Sequence, residues 1–223
     1  NIIHETKDII IVNKPAGQLS QGAKGFDLDL VSEVMTYNAS QGKPAYAAII
    51  NRLDRPVSGL VLIAKNKSAA AKYSTLMQKE GGFNKQYEAL ICGKLSELKG
   101  TFVDYLKKDG RTNTSAIVPA DSAANDKEAK LSKLEYEVIS YDEVKDITHV
   151  RIHLITGRHH QIRVQFASRR HPLVGDYKYA TADCGMDNAV KAVALKRNQI
   201  ALCAVSLTVD NKTYSVAPEF SIG

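Results

Sequence analysis

The apolar residues of this chain come in short runs of strand length, and most runs stop at glycine, proline, asparagine or aspartate. Ile9 to Val12 ends at Pro15 and Gly17, and Leu60 to Ala64 stands alone between polar segments. KQYEALICGKL alternates, with Tyr87, Ala89 and Ile91 on one side of a half-buried strand. FVDYLKKDGRTNTSAIV reads as a hairpin with KKDG as its turn. KLEYEVIS and THVRIHLI read as further strands, the second with Val150, Ile152 and Leu154 inward and one wet face, and IALCAVSLTVDNKTYSVAP as two closing strands around Asp210 and Asn211. Helical spacing is rarer. It occurs in LDLVSEVMTY, where Leu28, Val31, Val34 and Met35 share a face, and in KSAAAKYSTLMQ, capped by Asn66 or Ser68 and ended by Gly81 and Gly82. It recurs in HHQIRVQFASRR, where Ile162, Val164 and Phe166 turn inward. This balance predicts an α+β fold with a mixed, mostly antiparallel central sheet flanked by helices.

At 223 residues and 44% apolar content the chain can bury a substantial core, as one large domain or two modest ones. No linker-like stretch, low-complexity tract or fixed-period repeat interrupts it, which favours a single domain over 1–223. No apolar stretch approaches the ~20 residues of a membrane span, and NIIHETKDIIIVNKPAG carries charges where a signal peptide needs an apolar run. Cys92, Cys184 and Cys203 are odd in number, widely spaced and without a CxxC. Neither a disulfide framework nor a zinc site is expected, and a reducing cytoplasm is the simplest setting.

The formal charge of +6 matters less than where it lies. From Ile147 to Gly175 there is no Asp or Glu, while Arg151, Arg158, Arg163, Arg169 and Arg170 fall there with five of the six histidines. A surface built from that stretch should attract a polyanion, and clustered arginine is the footprint of a nucleic-acid binder. The plainer reading gives some of these arginines to internal ion pairs.

GxGxxG, Walker, HExxH and GxSxG patterns are absent, and the adjacent His159 and His160 should point apart rather than chelate one metal from successive helix turns. No cofactor is therefore expected. The unusual local chemistry lies in RLDRPVSG, where Asp54 stands between Arg52 and Arg55, in Tyr87 at the start of its strand, and in TGRHHQIR with Arg158 and Arg163. An aspartate is ionised at neutral pH and can act as a nucleophile without a general base, provided that a partner orients it. Arg52 and Arg55 flank Asp54, and Arg163 could reach it from another element. The plainer reading makes Asp54 the cap of a turn before Pro56 and Gly59, Tyr87 a strand aromatic and Arg163 a surface helix residue.

Taken together, these segments resemble the RluA-type family of RNA pseudouridine synthases. NRLDRPVSGLVLIAK is similar to that family's HRLDxxTSGLLLxAK signature, and IVNKPAG to the lysine-proline motif that opens its catalytic domain. KQYEALICG resembles its K-x-Y-x-A-x-V-x-G strand, and LITGRHHQIRVQFASRRHPLVGDYKYA its TGRxHQIRxH with the following hP-x-x-GD. IALCAVSLTV resembles its L-x-LHA-x-x-L-x-F strand, so the likeness keeps the family's order and spans nearly the whole chain.

The resemblance implies a single pseudouridine synthase catalytic domain over 1–223; the residues before Ile9 are too few for the S4 RNA-binding domain that many relatives carry, so none is expected. It implies an RNA partner, ribosomal or transfer, with no membrane, no obligate protein partner and no cofactor. The reaction it implies converts uridine to pseudouridine, exchanging the C1′–N1 bond for C1′–C5. By position, Asp54 becomes the essential aspartate, Tyr87 the aromatic against the target base, Arg163 the basic partner of the Asp54 carboxylate, and Arg52 the arginine beside the flipped nucleotide. Lys14, Arg158, His160, Gln161, Arg169 and Arg170 complete the expected RNA-binding set, and Leu173 or Val174 would help retain the base. Arg55 is left without a role. Asn51, Val57, His159, Gln165 and Cys203 stand where the family has His, Thr, Ser or Thr, His and His, which marks a divergent member. Two other classes compete. An RNA-binding factor without catalysis would have no use for Asp54, Tyr87 and Arg163 together, and a carboxylate glycosidase would need a second acid near Asp54.

Overall fold

The computed structural model describes residues 1–22, 29–79, 82–193, 195–196 and 198–222. In chain order they form β1 (Ile2–Glu5), β2 (Ile9–Lys14), α1 (Leu30–Ser40), β3 (Ala48–Ile49), β4 (Ser58–Ala64) and α2 (Lys67–Gln78). Next come β5 (Asn84–Cys92), β6 (Lys99–Asp109), β7 (Thr114–Val118), α3 (Ala120–Ala123), β8 (Lys130–Asp142), β9 (Ile147–Leu154), α4 (Gln161–Ala167) and α5 (Met186–Ala192). β10 (Leu202–Val209) and β11 (Lys212–Ser215) follow. The fold is α+β with mixed pairing, as the sequence predicts. The chain divides into a first unit, Asn1–Asn84 with Cys203–Pro218, and a second, Lys85–Leu202 with Glu219–Gly223.

In the first unit the strand order is β1-β2-β4-β10, with β3 also on β4 and β11 on β10. Every residue of β4 is buried, so its sequence is a continuous apolar run rather than an alternating one. β2 lies antiparallel on one side, from Ile9↔Ala64 to Lys14↔Gly59, and β10 runs parallel on the other through Cys203↔Ser58 and Ala204↔Gly59. The Asn66 side chain caps α2 by accepting from the Ala69 amide at 2.8 Å, and Ala69 and Tyr73 join Ile11, Leu62 and Leu207 in the core. The turn between β10 and β11 has Asp210 and Asn211 at φ 47° and 60° with Val209↔Lys212 closing it, the geometry of a two-residue hairpin. α1 corrects an expected face. Its cap is Asp29, accepting from the Ser32 amide at 2.8 Å, and the phase set there buries Leu30, Val34 and Asn38 while Met35 is 37% exposed. Asn38 is anchored inside through Nδ2, which donates to the Tyr46 carbonyl at 2.9 Å. Leu28, expected on the α1 face, and Gly81, expected to end α2, lie outside the described residues.

In the second unit the order is β5-β9-β8-β6-β7, antiparallel throughout. β9 alternates as expected, with Val150, Ile152 and Leu154 buried and Arg151 exposed. Phe102, Tyr136 and Phe166 form an aromatic cluster with centroids 4.8–5.9 Å apart. On the other face one register row reads Lys99, Glu137, Arg151, Glu88 across four strands, alternating in sign. Three expectations are corrected here. β5 is half-buried only as far as Glu88, and from Ala89 to Cys92 both faces are covered. The β6–β7 turn is Gly110 to Asn113 rather than KKDG, because Lys107 and Lys108 remain paired in the ladder and the Asp109 carboxylate starts the turn by accepting from the Arg111 amide at 2.8 Å. α4 is shorter than HHQIRVQFASRR, because His160 and Arg170 adopt left-handed backbone at φ 53° and 67°.

Gly59 has φ +118°, and a Cβ built there would lie 2.4 Å from the Ala204 carbonyl oxygen and 2.5 Å from its amide nitrogen. Those are backbone atoms of β10, which cannot step aside alone. Gly59→Ala is expected to destabilise the protein by about 3 kcal/mol in urea unfolding. Gly110→Ala, where nothing lies within 4 Å, should change stability by no more than about 0.5 kcal/mol. Equal midpoints for the two variants would contradict this.

Candidate active site

In the first unit Asp54 sits in the turn that leads into β4, and almost every neighbour of that turn is tied down. Asn51 is buried, donates to the Leu60 carbonyl at 3.0 Å and accepts from the Leu62 amide at 2.7 Å. The Ser20 hydroxyl donates to the Leu53 carbonyl at 2.7 Å and accepts from the Leu53 amide at 3.2 Å. The Val57 amide closes the turn on the Asp54 carbonyl at 3.0 Å. Arg55, which had no expected role, accepts from the Gly17 amide at 2.7 Å through its carbonyl and donates from Nε to the Gly17 carbonyl at 2.9 Å. Beneath them the ammonium of Lys14, a fully buried side chain, donates to the carbonyls of Pro15 at 3.0 Å and Gln18 at 2.9 Å. The result is a rigid turn with Asp54 half-buried and Arg52 exposed.

The second unit carries Tyr87, Arg163 and the remaining expected residues. Tyr87 is buried on β5 opposite Ile152. Lys85, two residues earlier on the same strand face, is also buried, and desolvation pushes its ammonium below the usual lysine range. Arg163 is 5% exposed and binds Asp176, itself 2% exposed, through two bonds: Nε to Oδ2 at 2.7 Å and Nη2 to Oδ1 at 2.8 Å. The Tyr179 ring lies 5.1 Å from the same guanidinium carbon. Its hydroxyl accepts from the Ser115 amide at 2.9 Å and is hydrogen-bonded to His160 Nδ1 at 2.6 Å. Ser115 Oγ in turn lies 2.9 Å from His159 Nδ1. The two histidine rings do not point apart; they stack at 3.8 Å, because the left-handed backbone at His160 folds its ring back onto its neighbour.

Gln161 is buried. Its Oε1 accepts from Thr156 Oγ1 at 2.8 Å and from the Arg158 amide at 3.0 Å, and its Nε2 donates to the Lys133 carbonyl and to Gln165 Oε1, each at 3.1 Å. That is the pattern of a structural amide. Leu173 and Val174 are fully buried, and the Val174 amide donates to the Leu90 carbonyl at 2.9 Å. Among the described residues no group of three or more His, Cys, Asp or Glu could hold a metal ion, and no helix is long and apolar enough to cross a membrane. Burial pushes the Cys92 thiol up to about 12.

The acid-free stretch from Ile147 to Gly175 is not a uniformly basic surface, which corrects the charge expectation. Acids from elsewhere in the second unit meet it. Glu88 holds Arg151 at 3.2 Å and His149 at 3.1 Å, Glu135 lies 3.4 Å from His153, and Asp176 takes Arg163. Arg169 pairs with Asp104 at 3.0 Å and lies over the Phe102 ring at 4.0 Å. Arg158 and Arg170 are exposed, although Arg158 Nε donates to the Leu131 carbonyl at 2.9 Å. The pairings of Asp104, Asp176 and Tyr179 escape the sequence because their partners are set by tertiary packing; the local cues are that Asp176 ends the segment similar to hP-x-x-GD and that Tyr179 follows it in the turn-rich HPLVGDYKYA.

Arg169 and Arg170 therefore separate. Arg170 occupies the left-handed position that ends α4, with its amide on the Ala167 carbonyl at 3.0 Å and the His171 amide on the Phe166 carbonyl at 3.1 Å. Arg169→Ala is expected to cost about 2 kcal/mol of stability, whereas Arg170→Gly should gain about 1 kcal/mol. Thermal melts of both variants check the signs.

The family model described as RNA pseudouridylate synthase matches residues 8–168. The ribosomal large subunit pseudouridine synthase D of Haemophilus ducreyi is 33% identical over 80% of this chain and 52% of its own length, and that of Vibrio vulnificus is 29% identical over 99% and 66%. An Aquifex aeolicus protein described as an uncharacterized RNA pseudouridine synthase is 34% identical over 80% of this chain and 55% of its own length. The chain thus spans little more than half the length of most of these relatives. Two human structures, RNA Pseudouridylate Synthase Domain Containing 1 and 4, share the fold with TM-scores of 0.73 and 0.75. Each covers 98% of this chain, at 23% and 18% identity, and the match covers 83% and 88% of those chains. On the span and identity of these matches, the chain belongs to the RNA pseudouridylate synthase family.

Proposed function

We propose that this chain is the uridine-isomerising part of an RluA-type RNA pseudouridine synthase, acting on structured RNA without a cofactor and with Asp54 as its essential carboxylate. The observation that carries the reading is the turn around Asp54: within the family's matched span, an acidic side chain stands half-buried on backbone fixed by Ser20, Asn51 and Arg55. A carboxylate on such a mount is presented in one direction. Large-subunit ribosomal RNA is the substrate class we infer, from the names of the relatives, with transfer RNA as the alternative that the test below separates. A cytoplasmic setting fits an RNA substrate.

A uridine inside folded RNA hides C1′, C5 and C6, so it is extruded at a cost of a few kcal/mol and held by stacking. Tyr87 is the stacking residue in this reading, and Arg52 fills the gap that the base leaves. Isomerisation breaks C1′–N1 and forms C1′–C5; the proton that leaves C5 is balanced by one gained at N1. Asp54 serves as nucleophile at C1′ or C6, or as the base that removes a ribose proton, and each route needs an ionised, oriented carboxylate. Arg163 is proposed as the basic partner that favours that form. Of the proposed RNA-side set Lys14, Arg158, His160, Gln161, Arg169 and Arg170, the exposed Arg158 and Arg170 are best suited to meet phosphate directly, while the buried Lys14 and Gln161 would serve only by holding the backbone around them.

Asp54→Ala is expected to lower pseudouridine formation by about 1,000-fold or more, while RNA affinity and the melting temperature stay near those of the unaltered protein. Mapping pseudouridines in cells carrying either form identifies the target RNA at the same time. Undiminished modification by the variant would refute the role of Asp54, and no pseudouridine from either form would favour an RNA-binding factor instead.

A further inference from the structure

We propose that Asp176 and Tyr179 are positioning residues that fix the direction of the Arg163 guanidinium for uridine isomerisation. The proposal rests on the reading above, in which Arg163 serves the reaction, and adds two residues to which no role has been given.

The local backbone puts the two together. The Asp176 amide donates to the Leu173 carbonyl at 3.0 Å, and the Tyr179 and Ala180 amides donate back to the Asp176 carbonyl at 3.2 and 3.1 Å. This single helical turn places side chains three residues apart on one side. Asp176 takes the Nε and Nη2 edge of Arg163, which fixes the plane of the fork and its rotation within that plane. The Arg163 guanidinium carbon lies over the Tyr179 ring, 5.1 Å from its centroid, and the Tyr179 hydroxyl is held between the Ser115 amide and His160. The ring therefore cannot swing without breaking two bonds.

Stability alone does not account for the arrangement. A buried ion pair is often no more stabilising than apolar side chains of similar volume, because both charges leave water. What the pair does supply is direction: a guanidinium held at two nitrogens and seated over an anchored ring presents its charge along one line, which is what a reaction sensitive to small displacements needs. His159 joins the same group through Ser115 and stacks on His160, so one of the residues in which this chain departs from the family pattern is tied to these positioning residues.

The test is a set of single-turnover rates on a uridine-containing RNA, with affinity and melting temperature measured alongside, all well below each variant's melting temperature. Asp176→Asn should lower the rate on the order of 100-fold with RNA affinity changed less than about threefold. Tyr179→Phe should lower it about tenfold. Because Asp176 acts through Arg163, Asp176→Asn added to Arg163→Met should lower the rate no further, and that double variant removes both buried charges and so keeps the fold. A full rate for Asp176→Asn while Arg163→Met is impaired would overturn the proposal, as would additive losses in the double variant. A full rate for Arg163→Met alone would instead remove Arg163 from the reaction and take the underlying reading with it. If Asp176→Asn does not fold, Tyr179→Phe decides: an unchanged rate overturns the proposal.

Discussion

Backbone polar groups that leave water must find partners inside the protein, and this requirement shapes the turn that carries Asp54. One hydroxyl, that of Ser20, serves both the amide and the carbonyl of Leu53, and Gly17 and Arg55 bond each other twice. Lys14 gathers carbonyls that would otherwise face one another without a donor. The far end of the turn is fixed by a different means, since β4 and β10 approach so closely at Gly59 that no side chain fits between them. The carboxylate of Asp54 thus stands on a segment whose backbone has little freedom left.

Most strands were legible because burial writes directly into hydrophobic pattern, and β4, β9 and the β10–β11 hairpin need no other information; β1 and β3, short and without a fully buried residue, were not read. Phase and ends were less legible. The face of α1 depends on where Asp29 starts the helix and on a buried Asn38 that apolar periodicity does not count, and the limits of α4 depend on left-handed residues that are not glycine. The site divides in the same way. Asp54 could be read from a short motif, but the pairing of Arg163 with Asp176, and of Arg169 with Asp104, joins residues by folding rather than by spacing. Arg55 illustrates the limit: beside Asp54 in sequence it looked redundant, and its contacts are with Gly17.

Three of the positions where the chain departs from the family pattern are explained by their hydrogen bonds. Asn51 offers a donor to Leu60 and an acceptor to Leu62, alternate residues of β4. Gln165 joins Gln161 to Asp104, accepting from the first at 3.1 Å and donating to the second at 2.7 Å. His159 reaches Ser115. Each departure keeps a polar group where the surroundings demand one, so the divergence follows local hydrogen-bonding needs. Val57 is buried without such a contact, and nothing in the structure explains why it replaces a threonine.

The ion pairs along the acid-free stretch also bear on how RNA would be met. An arginine already matched to a carboxylate displaces few condensed counterions when a phosphate arrives, and Arg151, Arg163 and Arg169 are matched. Arg158 and Arg170 would displace roughly 0.7 each on a single strand. In the RNA complex proposed above, this segment accordingly yields the entropy of one or two released ions rather than five. Its hold on the nucleic acid is correspondingly tolerant of salt, and recognition there depends on the fit of the strand more than on attraction at a distance.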